Sequence, residues 1–110
     1  MRDFYKTARW ERVRRVVFRR DGYQCQLSKR YGRIRPAEVV HHIFPLEEFP
    51  EFAFATWNLI SLTRAMHNSL HDRSTDELTK AGRDLLRRTA RKNGMEIPER
   101  YLERNDGRMA

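Results

Sequence analysis

The four histidines of this 110-residue chain, His41, His42, His67 and His71, all fall within 31 consecutive residues. That crowding constrains the chain more than any other feature, because a fold that gathers the segment places four imidazoles near one point. His67 and His71 are four apart, so on a helix they project from one face, one turn from each other, and can take two positions on a metal ion. The spacing alone is common by chance. The zinc-protease version carries Glu after the first histidine, and here that position is Asn68, so a metalloprotease base is missing. His41 and His42 sit side by side in a segment that reads as a strand, where neighbouring residues point to opposite faces. One ring can then turn toward a metal and the other toward a different atom, which separates a ligand from a general base. Taken alone, the pair reads more simply as one surface histidine and one core histidine.

The length fits one domain over residues 1–110. Thr7 caps a predicted helix over 7–20, with Trp10, Val13 and Val17 on one side and arginines on the other, closed by Asp21-Gly22. Tyr23 to Leu27 reads as extended and Ser28 to Gly32 as a polar turn. Ala37 to Phe44 reads as a strand stopped by Pro45. Leu46 to Phe54 is an acidic, aromatic loop, and Trp57-Asn58-Leu59-Ile60 leads to a helix over about 63–72. Ser74 to Glu77 matches a capping box for a C-terminal helix over 75–92, which Asn93-Gly94 closes. Pro98 starts a short last segment, and the residues from Asn105 are expected to fray.

Cys25 is the sole cysteine, so neither an internal disulfide nor a four-cysteine zinc site can form, and Cys25 reads as a small buried hydrophobe. No apolar run approaches the roughly 20 residues that span a bilayer, and Met1–Lys6 lack a secretory apolar stretch. A cytoplasmic protein without membrane contact is the expectation. The net charge is +8, and it is segregated: residues 1–36 carry +9, 37–71 carry −3 and 72–110 carry +2. Solubility does not require such segregation, and a polyanionic partner does explain it.

Three stretches taken in order are more specific than any one of them. Ala37-Glu38-Val39-Val40-His41-His42-Ile43, Asn58-Leu59-Ile60-Ser61-Leu62 and His67-Asn68-Ser69-Leu70-His71 together resemble the HNH endonuclease family. The likeness covers about residues 23–72. Upstream, the Trp10 helix, Arg19-Arg20-Asp21-Gly22-Tyr23 and Cys25-Gln26 look like small phage-type members. The resemblance implies an α+β fold, a ββα-metal (His-Me finger) module of two antiparallel strands and a helix, flanked here by N- and C-terminal helices. It implies a metal-dependent hydrolase that cuts DNA phosphodiester bonds to 5′-phosphate and 3′-hydroxyl ends. By position, His42 would be the general base. His41, His67 and His71 would hold one divalent cation, with Mg, Mn, Ni and Zn all open. Asn58 would be the family's central asparagine, bracing the loop that aims His42 without moving a proton.

Many small members carry two cysteine pairs that bind a structural zinc. The corresponding positions here are Cys25, Ser28, Thr63 and Met66, so no structural zinc is expected, and packing by Leu27 and Met66 is expected to replace it. Arg9, Arg12, Arg15, Arg19, Arg20 and Lys29 are the candidate DNA contacts, with weak sequence preference and strong salt dependence. The acidic loop at Glu47, Glu48 and Glu51 is expected to lie away from the duplex or to meet a protein partner. Phage packaging proteins are partners by resemblance only. Two other readings share these residues: a non-catalytic nucleic-acid-binding module with a structural metal, and a ribonuclease or toxin built on the same module.

Overall fold

The structure, a computed structural model, describes residues 2–103. A short 3-10 turn, Arg2–Lys6, leads into helix α1, Ala8–Arg20. The Thr7 hydroxyl accepts from the Trp10 amide at 3.1 Å and caps the helix. Asp21-Gly22 ends it, with Gly22 N–H on the Arg19 carbonyl and Tyr23 N–H on that of Phe18. Trp10 and Val17 are its buried stripe.

The predicted extended segment and turn after α1 are corrected. Gln24 makes a single bridge to Pro36, and Gln26–Arg30 is helix α2. Leu27 and Ser28 are both buried. Adjacent residues on a strand cannot both face one core, whereas adjacent residues on a helix turn can. The Cys25 carbonyl starts this helix by accepting from the Lys29 amide at 3.0 Å.

Strand β1, Val39–His42, pairs antiparallel with β2, Leu59–Leu62. The register sets His41 opposite Ile60 and His42 opposite Leu59. β1 is shorter than the predicted 37–44. The sheet divides two apolar cores. Leu59 and Val40 pack with Trp10 and Val17 of α1, while Ile60, Leu62 and Val39 face the larger core with Phe44, Leu70 and Leu86. Two phenylalanines of the acidic loop belong to that larger core, where Phe49, Phe52 and the nearby Trp57 set their edges around the Phe44 ring at 5.1–5.7 Å between centroids, while Phe54 packs in the α1 core.

Helix α3, Arg64–Asn68, is capped by Thr63 and is much shorter than the predicted 63–72. Thr79 stops it. Its amide donates to the Leu70 carbonyl at 2.9 Å and its hydroxyl to the Ser69 carbonyl at 2.8 Å, so these carbonyls are drawn away from a continuing helix. His71 therefore lies beyond the helix, paired with Leu78 in an isolated antiparallel bridge. The Ser74 capping box is likewise corrected. Ser74 and Thr75 fold onto the Asp72 carboxylate at 2.7–3.1 Å, and Asp76 turns left-handed at φ 64°. The last helix, α4, is Lys80–Lys92 rather than 75–92, and its cap is Thr79. Asn93-Gly94 closes it as predicted, with Met95 N–H on the Ala90 carbonyl at 2.8 Å. A 3-10 turn, Glu99–Tyr101, folds back on α4, where the buried Arg87 donates to the Tyr101 carbonyl at 2.8 Å. The stretch from Asn105 lies outside the described residues. No helix among the described residues is long and apolar enough to cross a membrane.

Two ties between elements make predictions. A Cβ at Gly82 of α4 would stand 2.5 Å from the Leu70 carbonyl oxygen. Gly→Ala in an open helix stabilises by about 1 kcal/mol, but Gly82→Ala should destabilise by about 1–3 kcal/mol through overpacking, read as a lower urea midpoint. Arg20 donates to both oxygens of Asp21 at 2.8 and 3.0 Å and to the carbonyls of Thr56 and Leu59 at 2.8 and 2.7 Å. Lysine lacks that fork. Arg20→Lys should therefore lower the melting temperature by several degrees, as a loss of about 1–2 kcal/mol does in a domain of this size, while Arg12→Lys leaves it unchanged.

Candidate metal centre

Strand alternation sends the two β1 histidines apart. His41 shares a face with Val39, and His42 shares the α1 face with Val40. The His41 ring meets those of His67 and His71 at 5.2 and 5.3 Å between centroids, and His67 and His71 are 5.1 Å apart. One ligand atom from each of the three lies within 4.8 Å of the others. His67 comes from α3. His71 reaches the same point from the bridge with Leu78 rather than from one helical face.

His41 Nε2 is buried with no hydrogen-bond partner, and it is the one side-chain nitrogen or oxygen so placed among the described residues. Leaving such an atom unsatisfied costs about 1–3 kcal/mol, which a ligand to its lone pair would recover. Burial pushes the His41 pKa well below the ordinary histidine range, and the neighbouring His67 and His71 push it further. Burial and His71 also lower that of His67. The His41 and His67 rings are thus biased to the neutral form, the form that coordinates a metal. His71 Nδ1 faces the Asp76 backbone carbonyl at 3.4 Å. A carbonyl only accepts, so Nδ1 carries the proton and Nε2 is left for the cluster. Three imidazole nitrogens are a donor set that fits a borderline divalent cation and leaves positions open to other ligands.

His42 is built differently. Its ring stacks on the Trp10 indole at 5.1 Å and 21°. Its Nε2 lies 3.0 Å from the Ala53 carbonyl. Again the carbonyl fixes the tautomer: Nε2 carries the hydrogen and Nδ1 keeps a basic lone pair. Among the described residues Nδ1 has no hydrogen-bond partner and is not enclosed, and the residue lines the same cavity as the other three histidines. Burial lowers the His42 pKa, while the Ala53 contact raises it in part. Asn58 is fully buried. Its Oδ1 accepts from the Phe44 amide at 2.7 Å, and its Nδ2 donates to the carbonyls of Phe44 and Phe52 at 3.2 and 3.3 Å. These bonds close the loop that presents the Ala53 carbonyl to His42.

The cavity in front of the histidines holds about 660 Å³. Tyr5, Trp10, Arg14 and Arg100 also line it, and sequence reasoning named none of them as site residues. Arg14 carried a signal, since it follows Trp10 by four on α1 and so shares its face. Glu47 and Glu48 lie on the cavity wall too, so the acidic loop borders the cavity. Glu48 is neutralised by Arg100 at 2.8 Å and accepts from the Tyr101 hydroxyl. None of Arg9, Arg12, Arg15, Arg19, Arg20 or Lys29 lines the cavity. Arg12, Arg15, Arg19 and Lys29 are exposed. The Arg9 guanidinium covers the Phe54 ring at 3.8 Å, and Arg20 is spent on the fold.

Away from the cavity, Cys25, Ser28, Thr63 and Met66 come together. Ser28 Oγ donates to Cys25 Sγ at 3.1 Å, the thiol lies 4.0 Å from Thr63 Oγ1, and that oxygen accepts from the Met66 amide. Cys25 and Leu27 belong to the larger core, with Met66 packed against it.

No family model and no curated protein matches the chain. A solved structure does: the manganese-bound HNH endonuclease of the deep-sea thermophilic bacteriophage GVE2, 39% identical, with a TM-score of 0.59 over 61% of this chain and 73% of that one. With the α+β architecture, the antiparallel strand pair and the clustered histidines already established, a likeness of that extent and identity shows that the chain belongs to the HNH endonuclease family.

Proposed function

We propose that this chain is a metal-dependent endonuclease that hydrolyses DNA phosphodiester bonds, with one divalent cation held by His41, His67 and His71 and with His42 as general base. The observation that carries the reading is the division of the four imidazoles: three present nitrogens within 4.8 Å of one another, and the fourth is held apart on the Ala53 carbonyl. A structural metal alone would not call for the fourth ring, fixed in one tautomer beside the same cavity. The related phage enzyme holds manganese, and this donor set suits Mn, Ni or Zn better than Mg.

A divalent cation bound there would supply Lewis-acid stabilisation of the charge that builds on the phosphate and the departing oxygen. The chain's own groups do the rest. His42 Nδ1 takes a proton from a water molecule in the cavity. The oxygen of that water forms the new bond to phosphorus as the bond to the 3′ oxygen breaks, and the departing oxygen takes a proton from solvent, which leaves 5′-phosphate and 3′-hydroxyl ends. The developing imidazolium is supported through Nε2–H by the Ala53 carbonyl, as a carboxylate supports the base in other hydrolases. Burial keeps His42 neutral and ready to accept at neutral pH. Trp10 holds the ring flat and limits its rotation. Asn58 positions the loop and touches no reacting atom.

His42→Ala should lower plasmid cleavage by a factor of about 100 or more while the variant still takes up metal. Full cleavage by a contaminant-free His42→Ala protein would remove the mechanism. His67→Ala should abolish both cleavage and the manganese-dependent rise in melting temperature. In the wild type that rise should correspond to about 2.7 kcal/mol at a hundredfold excess over Kd. EDTA should stop wild-type cleavage without unfolding the protein, and cleavage that persists in EDTA would refute the metal requirement.

A further inference from the structure

Residues 29–36, the last two of α2 and the loop that leads toward β1, are eight consecutive exposed positions. They include Lys29, Arg30, Arg33 and Arg35 and no acidic residue. None of these four cations has a carboxylate partner among the described residues. The nearest acids along the chain are otherwise engaged: Asp21 binds Arg20 and the Ser61 amide, and Glu38 accepts from the Arg64 amide at 2.8 Å. Between the cations stand Tyr31 and Ile34, 74% and 75% exposed, the two most exposed large apolar side chains among the described residues.

Single exposed apolar residues are ordinary. Here two project from one loop that is pinned at both ends. Arg33 N–H bonds the Ser28 carbonyl and Gly32 N–H that of Lys29, and Gly32 takes the left-handed φ of 79° that this helix ending requires. Cys25 N–H then holds the Arg35 carbonyl at 2.8 Å. The backbone is therefore set before any partner arrives, and little ordering entropy opposes binding. Arg35 and His41 are six residues apart, at most about 20 Å along an extended chain, whereas one turn of duplex is about 34 Å. The loop and the histidine cluster can meet the same turn of one nucleic acid.

We infer that the 29–36 loop is a second nucleic-acid-binding element, in which Tyr31 and Ile34 wedge against bases while Lys29, Arg30, Arg33 and Arg35 hold the flanking phosphates. The inference rests on the nuclease reading above and deepens it: the substrate is a duplex deformed at a base step next to the cleavage site. Apolar wedges flanked by cations are the chemistry that unstacks a step and bends the duplex, and an aromatic ring accepts any base by stacking.

The test uses the full chain in EDTA, so that binding is read without cleavage, and a short labelled duplex carrying 2-aminopurine. The double variant Tyr31→Ala/Ile34→Ala should bind about tenfold more weakly, as loss of one stacked base implies. It should keep the wild-type salt dependence and melting temperature and lose the rise in 2-aminopurine fluorescence. Its affinity for polyphosphate, which has no bases, should be unchanged. Arg33→Gln/Arg35→Gln should reduce the salt slope by about 2. Duplex affinity within about twofold of wild type for the Tyr31/Ile34 variant, or an equal loss on polyphosphate, would overturn the proposal. Hydrolysis of bis(4-nitrophenyl) phosphate reads the histidine site without the loop and should be equal in wild type and the Tyr31/Ile34 variant. A wild type that hydrolyses neither this diester nor DNA would sink the nuclease reading, and the binding measurements would still decide the loop.

Discussion

The two-residue alternation of β1 is the constraint on which the rest of this structure depends. Four residues, Val39 to His42, run between two apolar cores, so each successive side chain is committed to the opposite one. Val39 anchors the first face and delivers His41 to the histidine cluster. Val40 anchors the second and delivers His42 to Trp10. A slip of one residue against β2 would exchange the two rings and bring both valines to the wrong core. The separation of ligand from base is therefore a matter of pleat and register, held by the pairing of His41 with Ile60 and His42 with Leu59. No feature of the imidazoles themselves distinguishes them.

What the strand cannot supply, backbone carbonyls do. His42 and His71 each face a carbonyl oxygen, from Ala53 and Asp76. Each carbonyl decides which ring nitrogen keeps its lone pair. Both carbonyls lie in irregular chain, and both segments are fixed by polar side chains: Asn58 closes the loop before Ala53, and the Asp72 carboxylate gathers Ser74 and Thr75 before Asp76. These are local hydrogen bonds from side chain to backbone, the kind that competes with helix formation. Here they win. That is why the predicted start at Ser74 fails, while α3 has already ended at Asn68 where Thr79 docks beyond it.

Legibility followed the same line. The helix over 7–20, its Thr7 cap and its Asp21-Gly22 stop were readable because each depends on neighbours in sequence. So was the end of α4 at Asn93-Gly94. The meeting of His41, His67 and His71 was readable as a set, although the reasoning for His71 supposed one helical face and the structure uses a bridge to Leu78. Short elements were not readable. α2 has five residues, and only the joint burial of Leu27 and Ser28 reveals it. The docking of Thr79 on Ser69 and Leu70 is a tertiary contact with no local signature, so the shortening of both helices around His71 could not be foreseen. The cavity wall was half-visible: Arg14 shares a face with Trp10, but Arg100 and Tyr5 arrive from the two ends of the described chain.

The charge is arranged in the same divided way. The cavity wall sets Arg14 and Arg100 against Glu47, Glu48, Asp76 and Glu77, so it is mildly acidic and holds none of the chain's basic excess. An acidic wall favours a divalent cation's hold, while burial works against protonation of His41 and His42. The unbalanced charge lies outside, on the arginines of α1 and on the 29–36 loop. At physiological salt a field decays over about 8 Å. Cations outside the cavity face the histidines through screening solvent and can bind phosphates along a duplex with less effect on the protonation of His41 or His42. Segregating phosphate binding from the histidines lets the chain carry a net charge of +8 without charging the cavity, and so lets one small domain attract a polyanion and keep a neutral base.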